Sequence, residues 1–192
     1  MNDIPDKEKM QIAEAHKPII EPLEEKGFIL DIGGGGEGVI GQLMGNQVIS
    51  IDKNQRELEE APSDNLKIVM DATELKFLDE TFGTAASFYT LMYMDKKAKQ
   101  ETINEVYRVL KPGGKFLVWG SEIPSEKPND KAVFYVVPLE ITLPKKEIKT
   151  GYGVRFIFQD KKLITEMCKK AGFELNIKTE KGPMFYFEFI KK

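Results

Sequence analysis

The segment from Asp31 to Gly38 places a carboxylate directly before five glycines, Gly33 to Gly36 and Gly38. An apolar run precedes this segment and predicts a buried strand, and a helix-forming stretch follows it. Glycines at a strand-to-helix junction let the backbone adopt positive φ and approach a ligand closely. The sequence therefore predicts a binding loop here, and the alternative is a tight turn that holds no ligand.

Carboxylates also end three successive predicted strands, at Asp31, Asp52 and Asp71. The Asp31 carboxylate would oppose a pyrophosphate but suits an ammonium group. Asp52 can accept hydrogen bonds from both hydroxyls of a ribose, although an aspartate here could instead cap the next helix. Asp71 and the backbone of Ala72 offer polar groups to an adenine, unless Asp71 is only a solvated loop residue. The pattern favours a cationic nucleoside ligand.

The same glycines also match the dinucleotide fingerprint G-x-G-x-x-G, and Asp52 follows Gly33 by 19 residues. A nicotinamide-dependent reductase is therefore an alternative hypothesis. Its catalytic pair would be Tyr93 and Lys97, but Asp95 between them is a typical helix N-cap. The two side chains would then not share one helix face, which weighs against the reductase.

Strands and helices are predicted to alternate over the first two thirds of the chain. The strands are expected at 28–32, 47–51, 66–70, 84–89 and 115–119, and the helices at 39–44, 54–61 and 95–110. This alternation predicts an α/β fold with a doubly wound, mostly parallel sheet. A helix at 160–171 and a hairpin of strands 173–179 and 184–190 are expected to close the domain.

Two segments depart from this alternation. Residues 121–158 are β-like without intervening helices, and they predict an inserted β-hairpin cap over the carboxyl edge of the sheet, on the side of the site where a second substrate would bind. The aromatic residues in the cap suit either an apolar wall or packing of the hairpin. Residues 1–26 have a helix-like composition interrupted by Pro18 and Pro22, which predicts two short N-terminal helices.

Length and composition fit one domain that spans residues 1–192. The 28 basic and 31 acidic residues give a net charge of −3 and are mixed along the chain, so nucleic acid is not expected as a partner. His16 and Cys168 are single, so no Cys/His metal site is expected. The interpretation of His16 is a solvated helix residue, and that of Cys168 is core. With neither a leader nor a membrane-spanning run, the expected location is cytoplasmic.

Several stretches resemble the class I S-adenosylmethionine-dependent methyltransferases. Residues 30–35, Leu-Asp-Ile-Gly-Gly-Gly, resemble the first motif of that family, and residues 109–114, Val-Leu-Lys-Pro-Gly-Gly, resemble the turn before its fifth strand. Residues 71–75 and 171–173 are similar to further family stretches. The resemblance implies a seven-stranded sheet in the order 3-2-1-4-5-7-6, with the last strand antiparallel and helices on both faces.

The resemblance also implies S-adenosylmethionine as cofactor and S-adenosylhomocysteine as product. The cofactor-binding residues expected from it and from the pattern above are Asp31, Gly33, Gly34, Gly35, Asp52, Lys53, Asp71, Ala72 and Phe88. Glu37 stands where the family usually has its third glycine, and Gly83 stands where an aspartate is usual. The roles of Gly36, Glu37 and Gly38 therefore stay open.

The expected reaction is methyl transfer to an unidentified small-molecule acceptor, a direct displacement that depends on alignment and requires no metal. The catalytic residues are unknown, and candidates for a base are His16, Tyr89 and Tyr152. A protein that binds the donor without transferring a methyl group is a further alternative. The Asn/Asp-Pro-Pro-Tyr/Phe motif of nucleic-acid methylation is absent after the fourth strand, at residues 88–91. The sequence does not predict the oligomeric state.

Overall fold

A seven-stranded mixed sheet forms the centre of the protein, whose computed structural model describes residues 9–192. The strands in chain order are β1 (Met10–Ile12), β2 (Ile29–Ile32), β3 (Val48–Asp52), β4 (Leu66–Val69), β5 (Phe82–Phe88), β6 (Leu110–Ser121), β7 (Phe134–Leu143), β8 (Lys146–Arg155), β9 (Phe173–Lys181) and β10 (Met184–Lys191). The helices are α1 (Val39–Met44), α2 (Gln55–Glu60), α3 (Lys96–Val109) and α4 (Lys161–Ala171).

The strands of the large sheet lie in the order β4-β3-β2-β5-β6-β10-β9. The first five pair in parallel, whereas β10 is antiparallel to both of its neighbours. Numbered within this sheet alone, the order is 3-2-1-4-5-7-6. Two details differ from a regular alternation: residues 70–81 form a loop without a helix, and β6 begins at Leu110, before the glycine turn.

Apolar side chains on both faces of the sheet form two buried clusters. On one face, α3 and α4 contribute Ile103 and Cys168, which pack in one cluster with Leu30 of β2. On the other face, Ile40 of α1 shares a cluster with Ile29 of β2 and with residues of β7. Burial on both faces explains why the central strands are continuous apolar runs. Cys168 is fully buried, which confirms its interpretation as a core residue.

Polar side chains cap the first turns of α2, α3 and α4, and a glycine ends α4. The carboxylate of Asp95 accepts a hydrogen bond from the backbone of α3, and Asp160 does the same for α4. Asn54 caps α2 in the same way. Gly172 ends α4 with a φ of 108°, a conformation that glycine adopts most readily. These caps confirm the predicted positions of the three helices.

Residues 10–26 form no helix, so the predicted N-terminal helices are wrong for that range, and residues 1–8 lie outside the described part of the chain. Instead, β1 pairs in parallel with β7. Beyond β1, the backbone N–H groups of His16 and Ile20 donate to carbonyl groups of β7. Proline removes the N–H donors that a helix needs at Pro18 and Pro22, while the neighbouring donors pair with β7.

The cap is therefore a three-stranded sheet, β1-β7-β8, rather than a hairpin alone. β7 and β8 pair antiparallel over their full length, which agrees with the hairpin expected within residues 121–158. Alternate residues of β7 are buried against the domain: Tyr135, Val137, Leu139, Ile141 and Leu143. β8 ends at Arg155, before the Phe158 boundary that the sequence predicted. The cap thus covers the same face of the large sheet as α1.

Candidate functional site

The glycine loop, residues 33–38, lies at the carboxyl end of β2 and is fixed by backbone hydrogen bonds. The N–H groups of Gly33 and Gly34 donate to the carbonyl oxygen of Ile51, at 2.8 and 3.0 Å. The N–H of Gly36 donates to the carbonyl oxygen of Glu57 at 2.8 Å. The loop is therefore held between the end of β3 and helix α2.

Close packing explains two of the glycines without invoking a ligand. Gly33 has a φ of +70°, and a Cβ there would lie 2.3 Å from Cγ2 of Thr90. A Cβ on Gly34 would lie 2.4 Å from the Asp31 carboxylate. The absence of a Cβ at these two positions lets the loop pack against Thr90 and Asp31, whatever the loop binds.

Asp31 lies beneath the loop rather than at its open edge. Only 2% of the residue is exposed, and the Ser50 hydroxyl donates to its carboxylate at 3.2 Å. The Asn65 amide donates in turn to the Ser50 hydroxyl at 2.9 Å. Burial raises the pKa of Asp31 to about 7, and the nearby Asp52 charge adds to this shift. The structure thus places Asp31 behind Gly34, so its direct contact with an ammonium group stays a prediction.

Asp52 ends β3 with its carboxylate next to the glycine loop. One carboxylate oxygen accepts from the backbone N–H of Asn54 at 2.9 Å. Because Asn54 itself caps α2, the alternative of Asp52 as the helix N-cap is wrong. The second oxygen, Oδ2, lies 3.0 Å from the position of a Cβ on Gly35. This oxygen therefore faces the loop.

Asp71 and Ala72 follow β4 at the same edge of the sheet. The carboxylate of Asp71 accepts from the backbone N–H and the hydroxyl of Thr73, at 2.9 and 2.8 Å. These hydrogen bonds lower the pKa of Asp71, and the charge of Lys53 contributes. Asp71 is exposed, whereas Ala72 is buried in the core. The local bonds suit a solvated loop residue, so contacts of Lys53, Asp71 and Ala72 with a ligand remain predictions.

Arg108, which the sequence analysis did not single out, fixes the loop after Ala72. Its guanidinium donates to the backbone carbonyl oxygens of Leu75 and Phe77, both at 2.8 Å. It also forms ion pairs with Asp79 and Glu105. The one feature of the sequence that could have drawn attention to Arg108 is its place as a basic residue in the last turn of α3. The guanidinium holds the segment that leads away from the predicted adenine position.

Phe88 is the last residue of β5, and Tyr89 follows it next to the glycine loop. The Phe88 ring is almost fully buried and packs against Tyr89 and Trp119, with centroids 5.0 and 5.9 Å apart. Tyr89 has a φ of +59°, which is uncommon for a residue with a side chain. Such strained positions cluster at functional sites. Phe88 therefore faces the cap side of the sheet, and its predicted contact with the donor is untested.

His16 is not a solvated helix residue, because only 4% of it is exposed. Its Nδ1 lies 2.9 Å from the Tyr89 hydroxyl, and its Nε2 is buried without a hydrogen-bond partner. Burial lowers the pKa of His16 to about 4 and raises that of Tyr89 well above its usual range. Both side chains are therefore neutral near pH 7.

Glu37 connects the glycine loop to the cap. The Thr150 hydroxyl on β8 donates a hydrogen bond to its carboxylate. The Tyr152 hydroxyl interacts with the same carboxylate, and burial together with this charge raises the pKa of Tyr152. Tyr152 also packs near Tyr89, with ring centroids 5.8 Å apart. Glu37 and Thr150 lie 113 positions apart in the chain, so no local sequence pattern could have revealed their contact.

The described residues contain neither a metal-binding cluster nor a membrane-spanning helix. Within residues 9–192, no three His, Cys, Asp or Glu side chains are arranged to hold a metal ion. None of the helices in that range is both long and apolar enough to span a membrane. The arrangement at the glycine loop is therefore a set of carboxylates, backbone amides and aromatic rings.

The chain is similar to methyltransferases in sequence. A family model described as a methyltransferase domain matches residues 30–118. The carboxy-S-adenosyl-L-methionine synthase of Staphylococcus epidermidis is 31% identical over 133 residues, which cover 65% of this chain and 57% of the relative. A sterol 4-C-methyltransferase of Caenorhabditis elegans is 37% identical over 54% of this chain and 34% of the relative. A ubiquinone/menaquinone biosynthesis C-methyltransferase of Cereibacter sphaeroides is 32% identical, with coverages of 56% and 45%.

The chain thus spans about half the length, or less, of these curated relatives. Solved structures agree on the fold. The PH0226 protein of Pyrococcus horikoshii aligns with a TM-score of 0.67 and 20% identity, over 88% of this chain and 85% of that one. A methyltransferase of Methanosarcina mazei, described as dependent on S-adenosylmethionine, aligns with a TM-score of 0.63 and 19% identity, over 88% and 94%. At these identities the likeness concerns the fold alone.

Proposed function

Since the chain belongs to the class I S-adenosylmethionine-dependent methyltransferases, we propose that it transfers a methyl group from S-adenosylmethionine to a small-molecule acceptor held beneath the cap. The observation that carries this proposal is the glycine loop after β2, which lies inside the matched range 30–118 and has carboxylates on both sides. S-adenosylhomocysteine would be the product.

The donor carries a positive charge, and the carboxylates at the loop suit such a ligand. Among the described residues, none of Asp31, Glu37, Asp52 and Glu57 forms an ion pair with a basic side chain. An anionic pyrophosphate would meet repulsion from these groups, which weighs against the nicotinamide-dependent alternative. The backbone of Gly33, Gly34 and Gly35 would approach the donor most closely.

The strand ends supply the remaining donor contacts in this proposal. Asp52 accepts hydrogen bonds from the ribose hydroxyls, supported by the direction of its Oδ2 toward the loop. Lys53, Asp71 and Ala72 lie beside the adenine, and Phe88 lines the side opposite the loop. Asp31 acts from beneath the loop, where its charge depends on pH.

The chain's contribution to the reaction is alignment and exclusion of water. Bound donor supplies an activated methyl group, so an acceptor atom held in line with it needs little further activation. The buried faces of Tyr89 and Tyr152 would exclude water from that line. We assign no base, and His16, Tyr89 and Tyr152 remain the candidates if the acceptor must lose a proton.

The acceptor is proposed to be a small molecule rather than a macromolecule. Two relatives are named as C-methyltransferases of sterols and of ubiquinone/menaquinone biosynthesis, which supports a small organic acceptor. The cap offers an aromatic surface, with the rings of Tyr135 and Phe156 5.9 Å apart. Residues 121–158 are proposed as the cover over this acceptor.

Calorimetry with S-adenosylmethionine, S-adenosylhomocysteine and the nicotinamide dinucleotides tests the donor. Saturable binding of the first two alone is expected. A chain that binds neither of them at millimolar concentration, or that binds a dinucleotide instead, would contradict the proposal. A screen of metabolite extract with isotopically labelled donor, followed by mass identification, then identifies the acceptor. Donor binding without transfer to any extract component would favour a non-catalytic binding protein.

Replacing the cap tests the position of the acceptor. Ile123 and Gln159 already lie side by side, with the N–H of Ile123 donating to the Gln159 carbonyl at 2.7 Å, so a short linker can replace residues 124–158. Loss of transfer with donor binding retained is expected. A variant altered only at the turn residues 144–145 serves as control. Unchanged transfer in the capless chain would reject the cover.

A further inference from the structure

Glu37 lies on the proposed donor-binding loop, and its side chain also contacts the cap. It belongs to the glycine loop, yet its carboxylate accepts a hydrogen bond from Thr150 and interacts with Tyr152, both on β8. A second contact joins the same two regions, since the Lys146 ammonium at the start of β8 donates to the side chain of Gln42 on α1. The free edge of the cap is therefore attached to the loop and to the helix that follows it.

The protein leaves the charge of Glu37 without a cationic partner. No basic side chain among residues 9–192 forms an ion pair with it. The titratable groups near Glu37 are instead two tyrosine hydroxyls and a second carboxylate. The negative charge of Glu37 contributes to raising the pKa of Tyr93, Tyr152 and Glu57. A positive charge brought to the loop would therefore be attracted by Glu37.

The reaction itself removes such a charge. When an electron pair of the acceptor atom forms the new bond to the methyl carbon, the electron pair of the broken C–S bond stays on sulfur, so the cationic sulfonium of the donor becomes the neutral thioether of the product. An anion at the loop would thus bind the donor more tightly than the product. The ring of Tyr152, whose hydroxyl interacts with Glu37, adds a face that attracts cations.

We propose that Glu37 makes the site select the sulfonium donor over its thioether product, and that its hydrogen bond from Thr150 and its interaction with Tyr152 hold β8 over the loop while the donor is bound. This inference rests on the proposed function, because it concerns the same donor site. After transfer, the loss of positive charge weakens the attraction at the loop and favours release of the product.

The first test compares two ligands on one variant. Glu37→Gln keeps the shape and the hydrogen-bonding oxygen but removes the charge. We expect its affinity for S-adenosylmethionine to fall by about tenfold, and that for S-adenosylhomocysteine by at most about threefold, in calorimetric titrations. Glu59→Gln, on the exposed side of α2, removes the same charge elsewhere and should change neither affinity.

The outcomes distinguish failure of the proposed function from failure of the selection by charge. If the parent chain binds neither ligand, the proposed function fails. If the parent binds both but Glu37→Gln weakens both equally or not at all, the selection by charge is overturned. Glu37→Asp, which retains the charge, guards against a folding defect, because it should keep the parent's ratio of the two affinities.

The second test follows β8 directly by hydrogen exchange of residues 146–155. Saturating donor should increase protection of these amides in the parent chain more than saturating product does. Thr150→Val combined with Tyr152→Phe removes the hydrogen bond from Thr150 and the interaction of the Tyr152 hydroxyl with Glu37, and it should abolish that difference. An equal increase in the double variant and the parent would overturn the role of Glu37 in holding β8.

Discussion

The imidazole Nδ1 of His16 lies 2.9 Å from the hydroxyl oxygen of Tyr89, although 73 positions separate the two residues in the chain. The contact joins the segment before β2 to the end of β5, next to the glycine loop. The other ring nitrogen, Nε2, is buried without a partner. Because an imidazolium here would lack water, protonation of His16 opposes folding.

This burial predicts an acid-sensitive contribution to stability. The pKa of His16 is about 4 in the folded chain, against an ordinary value of 6.5, so the unfolded chain binds the proton first. The contribution is present above pH 6.5 and is lost as the pH falls toward 4. Allowing for partial hydration, it is on the order of 1–2 kcal/mol. Urea unfolding of the parent and of His16→Asn across this range should show the steeper decline in the parent, and parallel curves would contradict the prediction.

The buried carboxyl of Asp31 should give the free energy of unfolding the opposite dependence on pH. Its folded pKa of about 7 lies above the ordinary value of 3.8, so the folded chain holds the proton more tightly. Stability from this group is present below pH 3.8 and is lost as the pH rises through 7. Asp31→Asn should therefore be more stable than the parent at pH 8, by on the order of 3 kcal/mol, and similar near pH 4. Equal urea midpoints at pH 8 would show that Asp31 is not desolvated in solution.

Asp52→Ala should weaken binding of S-adenosylmethionine by roughly ten- to a hundredfold. Two ribose hydroxyls would lose a charged acceptor, a cost of about 1.5–3 kcal/mol. Folding should change little, because Asn54 and not Asp52 caps α2. Asp64→Ala, an exposed aspartate between α2 and β4, is the control for net charge. Parent-like affinity in Asp52→Ala would disprove the ribose assignment.

Gly33→Ala should destabilise the fold more than Gly113→Ala does. Both glycines have similar positive φ values, +70° and +77°, but a Cβ would collide with Thr90 only at Gly33 and meets nothing within 4 Å at Gly113. The backbone cost of alanine at such a φ is roughly 1–2 kcal/mol at either position. The additional loss of stability of Gly33→Ala over Gly113→Ala, measured by thermal unfolding, is therefore the cost of the collision. Adding Thr90→Ala to Gly33→Ala should recover part of that excess, because it removes Cγ2 and Oγ1 but keeps the Cβ of residue 90, 2.9 Å from the added Cβ. No recovery would mean that another contact requires the glycine.

Arg108→Ala should loosen the loop that follows Ala72 and weaken donor binding without touching the donor. Its guanidinium holds two backbone carbonyl oxygens and two carboxylates, so a loss of about 1–3 kcal/mol of stability is expected. Arg108→Lys keeps the charge but loses the forked geometry and should recover only part of it. Hydrogen exchange of residues 73–80 checks the prediction, and unchanged protection there would refute it.

Local sequence patterns were sufficient for much of the fold. The bounds predicted for α1 match those observed, Val39–Met44, because the element lies between glycines that end it. The cap at Asp95 was also predictable, since capping depends on residues three positions apart. The predicted start of the last helix, residue 160, proves to be its N-cap. The resemblance to a known family supplied the sheet order, which no local pattern specifies.

Contacts between distant segments were not predictable in this way. Residues 9–26 have a helix-like composition, yet they form β1 and extended chain because β7 offers unpaired backbone groups. The sequence predicts a solvated His16, because its neighbours Ala15 and Lys17 give no indication of the contact with Tyr89, 73 positions away. The contact between Glu37 and Thr150 depends on how the cap packs, so only the folded chain brings it together.

The parallel pairing of β1 with β7 also bears on the order in which the molecule folds. Met10 pairs with Phe134, a residue 124 positions later, so the cap sheet cannot be completed until most of the chain is available. Contacts of such high sequence separation carry a large loop-closure entropy and form slowly. The central parallel strands, which pair over shorter separations, can assemble first. The acceptor side of the protein would then be the last part to acquire its native structure.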